Sequence, residues 1–202
     1  MLIARMMHPV LTLGPGERLV IWVCGCHRRC EKCANPELQA FDTNKEIPLL
    51  MLIQLVNDLC ISKNIERITI SGGEPFEQAE ELAQLLQDLP SQVKDILVFS
   101  GYTIEQLHQR NDPSTERVLE RISVLVDGEY VDEKNHGHPL RGSDNQRIWF
   151  LHQDMEKEYL QFIDQSRAMV QNFATENEIF SVGIHHRKFA DEMEIQKKKR
   201  GL

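Results

Sequence analysis

The stretch from Cys24 to Pro36 reads Cys-Gly-Cys-His-Arg-Arg-Cys-Glu-Lys-Cys-Ala-Asn-Pro and concentrates the reactive side chains of the protein. Within it Cys26, Cys30 and Cys33 follow a Cys-x3-Cys-x2-Cys spacing. Three thiolates on one short loop can wrap a single inorganic centre, because the loop curls around it and each sulfur points inward. A cubane 4Fe–4S cluster usually takes four thiolates. A set of three leaves one iron open to another ligand, and an open metal position separates a reactive site from a structural one. The spacing alone also fits a structural zinc, with Cys24 or His27 completing a closed tetrahedral shell.

Three later stretches bear on that choice: Ser71-Gly72-Gly73-Glu74-Pro75, Phe99-Ser100-Gly101-Tyr102-Thr103, and Leu140-Arg141-Gly142-Ser143-Asp144-Asn145-Gln146-Arg147. Taken in order with the cysteine loop and Val126-Asp127-Gly128, they resemble the radical S-adenosylmethionine (SAM) superfamily. They look most like the activating proteins of anaerobic ribonucleotide reductases. The resemblance covers roughly residues 1–150 and leaves the final fifty outside it. It implies a 4Fe–4S cluster on Cys26, Cys30 and Cys33, with SAM chelating the open iron through its amino and carboxylate groups. Cys24 then ends a strand and packs, and the zinc reading recedes. His27 either neighbours the cluster or is a solvated loop residue. Lys32 is a departure, because the activating proteins commonly carry a small residue there and the superfamily often an aromatic one.

The same resemblance assigns the SAM methionine amino group to Gly72, Gly73 and Glu74. A glycine pair suits that role, since a ligand can approach its backbone closely. Ser100 and Asp127 each follow a strand, so a hydroxyl and a carboxylate there can bind ribose hydroxyls or the SAM ammonium. Asp127-Gly128 also reads as a tight turn. Asn145, with Ser143, Gln146 and Arg147, matches a signature late in the family domain, on the SAM or partner face. No side chain is assigned a catalytic step of its own, because the cofactor carries the hard chemistry.

The activity implied is reductive cleavage of SAM to a 5′-deoxyadenosyl radical. That radical then abstracts a glycine hydrogen from a glycyl radical enzyme, with a flavodoxin or ferredoxin as electron donor. Two other readings stay open: a radical SAM enzyme acting on a peptide or small molecule, and a non-catalytic zinc or electron-transfer module. After the three loop cysteines only Cys24 and Cys60 remain, too few for an auxiliary cluster. Cys60 falls on an apolar helical stripe and reads as a core thiol. His136-Gly137-His138 and His185-His186 lack a nearby carboxylate or thiol pattern and read as solvated.

The elements that must position these residues follow from hydrophobic pattern. Leu19–Val23 is a continuous apolar run, as in a strand buried on both faces. The cysteines therefore lie just past its C-terminal end, where α/β folds place their sites. Strands are expected at 2–13, 67–71, 95–99, 124–126 and 146–151. Helices are expected at 49–60, 78–89, from about 103, and at 115–122. This alternation predicts a parallel α/β sheet. The family resemblance implies a partial (βα) barrel open on one side, a core domain over 1–151. Residues 152–202 are expected to form a small α+β extension: a helix at 155–165, a hairpin of 168–173 with 179–184, and a helix at 187–200 ending in a solvated basic run.

The 202 residues allow one domain with an appendage. A formal charge of -8 argues against nucleic acid or an anionic membrane as main partner. The chain lacks an apolar run long enough to span a bilayer, and its start lacks the pattern of a signal peptide. Five cysteines, four of them in one loop, fit a reducing compartment. Together these features place the protein in the cytoplasm.

Overall fold

The computed structural model describes residues 1–165, 170–174, 179–189, 192 and 195. The apolar run before the cysteines forms β2, Arg18–Val23, buried along its whole length. It lies inside a six-stranded sheet whose strands follow in chain order. β1 (Ile3–Val10) is antiparallel to β2. Next come β3 (Arg67–Gly72), β4 (Asp95–Phe99) and β5 (Val124–Asp127), each parallel to its predecessor. β6 (Arg147–Phe150) returns antiparallel to β5.

The expected parallel sheet thus holds for the central strands and is corrected at both edges. The reason is connection length. The short Gly14-Pro15-Gly16 turn leads from β1 directly into β2, and residues 128–146 join β5 to β6 through a 3-10 turn at Asp132–Lys134. Neither supplies the crossover helix that a parallel pair normally needs.

Strand alternation splits the sheet into two lined faces. Leu19, Ile21, Val23, Ile68, Ile70, Ile96, Val98 and Leu125 share a core with the helices. α1 (Leu49–Lys63) buries Leu52, Ile53, Val56 and Cys60 there, each large aliphatic contributing about 2 kcal/mol. α2 (Ala79–Gln87) follows a 3-10 turn at Pro75–Gln78. α3 (Ile104–Gln109) starts with a complete Thr103/Gln106 capping box. α4 (Pro113–Arg121) has Asp112 as its N-cap and proline at its first position.

The opposite face is where the structure adds most. Val20, Trp22 and Cys24 pack there with Val182, Phe173 and Ile184. Leu97, Val124 and Val126 pack with Tyr159, Phe162 and Ile163. The covering residues come from α5 (Glu156–Gln165) and from the hairpin β7 (Val170–Ala174) with β8 (Ile179–Gly183) or just after it. The side of the sheet expected to lie open therefore carries the C-terminal segment. The helix expected at 187–200 and its basic end fall almost wholly outside the described residues. No helix among the described residues is long and apolar enough to cross a membrane.

α5 is joined to the sheet by a buried polar network. The fully buried Arg18 donates to Asp95 at 2.6 Å, to Thr69 Oγ1 at 2.6 Å and to the Ile68 carbonyl at 2.7 Å. Tyr159 donates its hydroxyl to Asp95 at 3.0 Å. Burial pushes the Tyr159 phenol up, so it stays a donor across the working pH range.

Candidate metal centre

The cysteine loop is tied at its base. Gly25 N–H donates to the Leu38 carbonyl at 2.9 Å and Cys26 N–H to the Gln39 carbonyl at 3.1 Å. Within it Arg29 and Lys32 hold φ values of 50° and 54°, left-handed conformations that cost a non-glycine residue about 1 kcal/mol or more. Such bends are how so short a loop curls. Asn35 N–H donates to Cys33 Sγ at 3.5 Å, and the backbone N–H groups of Arg28 and Arg29 lie near Cys26 and that of Tyr130 near Cys30. Burial raises the Cys26 and Cys30 thiols and those N–H groups oppose it. A bound metal would settle the balance by deprotonating them outright.

Neither candidate fourth ligand joins the loop cysteines. Cys24 is 1% exposed and packs on the sheet face with Val20, Trp22, Leu38 and Val182. The His27 ring lies 4.7 Å from Phe41, and its Nδ1 is 2.9 Å from Glu77 Oε2. Among the described residues no three Cys, His, Asp or Glu side chains, Cys26, Cys30 and Cys33 included, are gathered closely enough to hold a metal ion, so the inward convergence expected of the three sulfurs is not formed here. Three soft thiol donors on one loop, one of them bonded by a backbone N–H, fit an iron–sulfur cluster by their chemistry, and such a bond would tune its potential. Cys60 lies in the helical core as expected, its thiol raised by burial to about 11.

Gly72 and Gly73 lie against this loop. Gly73 N–H donates to the Val23 carbonyl and Glu74 N–H to the Gly25 carbonyl, both at 2.8 Å. A Cβ on Gly73 would stand 2.4 Å from the Gly25 oxygen and 2.8 Å from that of Leu38. The glycines thus admit the backbone of the cysteine loop itself, a packing requirement that spacing did not reveal. Gly73→Ala is expected to displace the base of the loop and weaken cluster retention about tenfold, read as iron per chain after reconstitution.

Glu74 and Ser100, which the sequence reading assigned to different parts of the ligand, meet each other. The Glu74 carboxyl is 1% exposed and accepts from Ser100 Oγ at 2.9 Å, Gly101 N–H at 2.7 Å and Phe76 N–H at 3.0 Å. It clasps the loop after β4 to the loop after β3. Burial pushes it up to about 7 against those bonds. The folded state then holds a proton that the unfolded chain releases above about 4.5. Glu74 therefore contributes stability at low pH that is lost as pH climbs through 7, on the order of 3 kcal/mol. Urea midpoints measured from pH 4 to pH 8 are expected to carry this slope in the native protein and to lose it in Glu74→Gln.

The Asp127 carboxylate is already engaged. It accepts from Arg147 at 3.0 and 2.6 Å and from Ile104 N–H at 2.7 Å, fixing β6 and the start of α3. Arg147 also grips Glu105, holding that carboxyl down to about 2. Asn145 donates to the Glu129 carbonyl at 2.7 Å, and Ser143 Oγ accepts from Val131 N–H at 3.1 Å. Gln146 holds Gly142, Ser143 and Gly128. The late signature thus shapes the loop between β5 and β6. His138 accepts from two backbone N–H groups and His185 stacks on Phe189 at 4.1 Å, so neither is a free solvated ring.

Sequence reasoning missed two features of the rim. Tyr102 lies between the guanidinium groups of Arg110 at 4.1 Å and Arg28 at 5.0 Å, and donates to Glu77 at 2.7 Å. Its position directly after Ser100-Gly101 was the available signal. Asp132 accepts from Lys32 at 3.0 Å and Arg187 at 2.8 Å, joining the cysteine loop to the C-terminal segment. The charged run Asp132-Glu133-Lys134 gave no local sign of this. A cleft of about 170 Å³ lined by Glu31 and 129–133 adjoins the loop. A larger one, about 340 Å³, lies between α2 and α4, away from the cysteines.

Comparison with known proteins agrees with this geometry. Residues 12–149 match the family described as a 4Fe-4S single cluster domain. The chain is 31% identical over 140 residues to the anaerobic ribonucleoside-triphosphate reductase-activating protein of Enterobacteria phage T4, covering 67% of this chain and 85% of the relative. It is 32% identical over 145 residues to the protein of that description from Escherichia coli K12, covering 68% and 91%. A pyruvate formate-lyase-activating enzyme of Staphylococcus epidermidis is 27% identical over 141 residues, or 67% and 55%. Sheet and loop thus define an α/β protein built around one 4Fe–4S cluster. Within that class the chain belongs to the radical SAM family of activating proteins.

Proposed function

We propose that this protein activates a glycyl radical enzyme of the anaerobic ribonucleotide reductase type. The observation that carries the reading is the cysteine loop, which offers three thiols while Cys24 and His27 are both committed elsewhere. Cys26, Cys30 and Cys33 would hold the cluster and leave one iron for SAM. When bound there, the cluster would supply the reducing electron for cleavage of SAM, the chemistry by which a glycine hydrogen of the partner would be removed.

The residues of this chain bind, orient and exclude water. The backbone of Gly72, Gly73 and Glu74 would receive the SAM amino group. The Glu74 carboxyl keeps that turn in register with Ser100. Ser100 and Asn145 would contact the nucleoside or carboxylate of SAM, while Asp127 steadies the rim through Arg147 and α3. We read residues 1–151 as a partial (βα) barrel of the radical SAM type and 152–202 as its extension. The donor would be a flavodoxin or ferredoxin, and the setting the cytoplasm, consistent with five free cysteines.

The covered sheet face favours a second reading, a smaller substrate, unless the cover moves. Anaerobic protein incubated with SAM and dithionite is expected to form 5′-deoxyadenosine. Added partner is expected to gain a glycyl doublet in its paramagnetic spectrum. Cleavage of SAM with no protein radical would favour the smaller substrate, and no cleavage would overturn both readings.

A further inference from the structure

The C-terminal segment is fixed to the sheet in two different ways. α5 is built into the core through the buried Tyr159–Asp95–Arg18 network. The hairpin and the chain after it are instead laid across the other part of the face: Gln171 of β7 bonds Pro9 and Leu11, and beyond it the chain is held through its own backbone carbonyls. Thr12 Oγ1 donates to the Val182 carbonyl and Asn135 Nδ2 to the His185 carbonyl, each at 2.9 Å. Between them Gly183, with φ 146°, turns the chain, and Ile184 packs with the cluster around Trp22 and Cys24. Arg187 then closes on Asp132, which Lys32 of the cysteine loop also grips. With this strap in place, the cleft beside the loop is about 170 Å³, below the roughly 300 Å³ at which ligand pockets usually begin.

We propose that this face is the docking site for an extended loop of the partner protein, and that residues 180–187 are its intramolecular occupant, displaced when the partner binds. The site's chemistry defines its ligand. Apolar side chains take the place of Val182 and Ile184. Two backbone carbonyls accept from Thr12 and Asn135, as in main-chain recognition of an extended peptide. This rests on the activase reading for the identity of the partner, though not for the movement of the strap. The segment lies beyond the family match, which ends at residue 149, so it adds a layer of selection to a shared core. The occupant and the incoming loop compete for the same contacts, so each weakens the other's binding by the same factor.

Cys24 reports the state of the strap, because it is 1% exposed beneath it, whereas Cys60 is fully buried under the helices on the opposite face. The test is pulse alkylation of the full-length, cluster-loaded protein with iodoacetamide, reading each cysteine peptide by mass. Both thiols are expected to resist in the native protein. Arg187→Ala is expected to speed Cys24 labelling about tenfold with Cys60 unchanged, and Arg187→Lys to restore protection. A glycyl radical enzyme, or a synthetic peptide of its glycine loop, is expected to unmask Cys24 in the native protein. Equal Cys24 labelling in native and Arg187→Ala protein would overturn the proposal, as would joint exposure of Cys24 and Cys60 or indifference to every partner loop. If partner loops unmask Cys24 while no 5′-deoxyadenosine forms, the strap stands and the activase reading fails.

Discussion

Cys30→Ala is expected to lose the cluster and to lower SAM cleavage by about three orders of magnitude, roughly 4 kcal/mol of barrier. Cys30 is the middle of the three spaced thiols. Without it two thiolates remain, too few to retain the cube. The controls sharpen the result. Cys24→Ala and Cys60→Ala remove thiols that lie in opposite cores, so each is expected to keep its iron and its activity. Iron per chain, absorbance and 5′-deoxyadenosine yield check all three variants. Retained cleavage in Cys30→Ala would contradict the assignment of the ligands.

The largest effect on stability is expected at Asp95. Asp95→Ala leaves the Arg18 guanidinium buried without its carboxylate and takes away the acceptor of Tyr159. Breaking one side of such a pair costs about 3–5 kcal/mol, and the thermal midpoint is expected to fall by about 10 °C. The double variant Arg18→Met with Asp95→Leu removes both charges and is expected to recover most of that loss. Because Tyr159 belongs to α5, the same lesion loosens the C-terminal segment from the sheet. A midpoint unchanged in Asp95→Ala would show that the network contributes little.

The sequence disclosed the strands and helices of residues 1–151 well, because their apolar periods are long and their boundaries carry caps. The Thr103 box and the Asp112–Pro113 start are examples. Edge directions were not legible. They depend on whether a connection holds a crossover helix, and residues 128–146 spend their length on a rim loop instead. The cysteine spacing singled out the loop to which the cluster is assigned. Glu74 and Ser100 were singled out separately, and the carboxyl's role as a clasp between their two loops appears only in three dimensions. Asp127 shows the limit of that reasoning: a carboxylate at a strand end was assigned to ligand, and its register partner Arg147 takes it. Which residues cover the second face was not legible, since Val182 and Ile184 look like any hairpin until their packing partners are known.

The central claim is that the polypeptide leaves one iron free for SAM. The most direct measurement is the paramagnetic resonance spectrum of the dithionite-reduced protein, recorded with and without SAM. The expected result is a cluster spectrum that shifts on adding SAM, in the native protein and equally in Cys24→Ala and His27→Ala. A spectrum indifferent to SAM, loss of the cluster in either variant, or a zinc protein without absorbance at about 400 nm would contradict it.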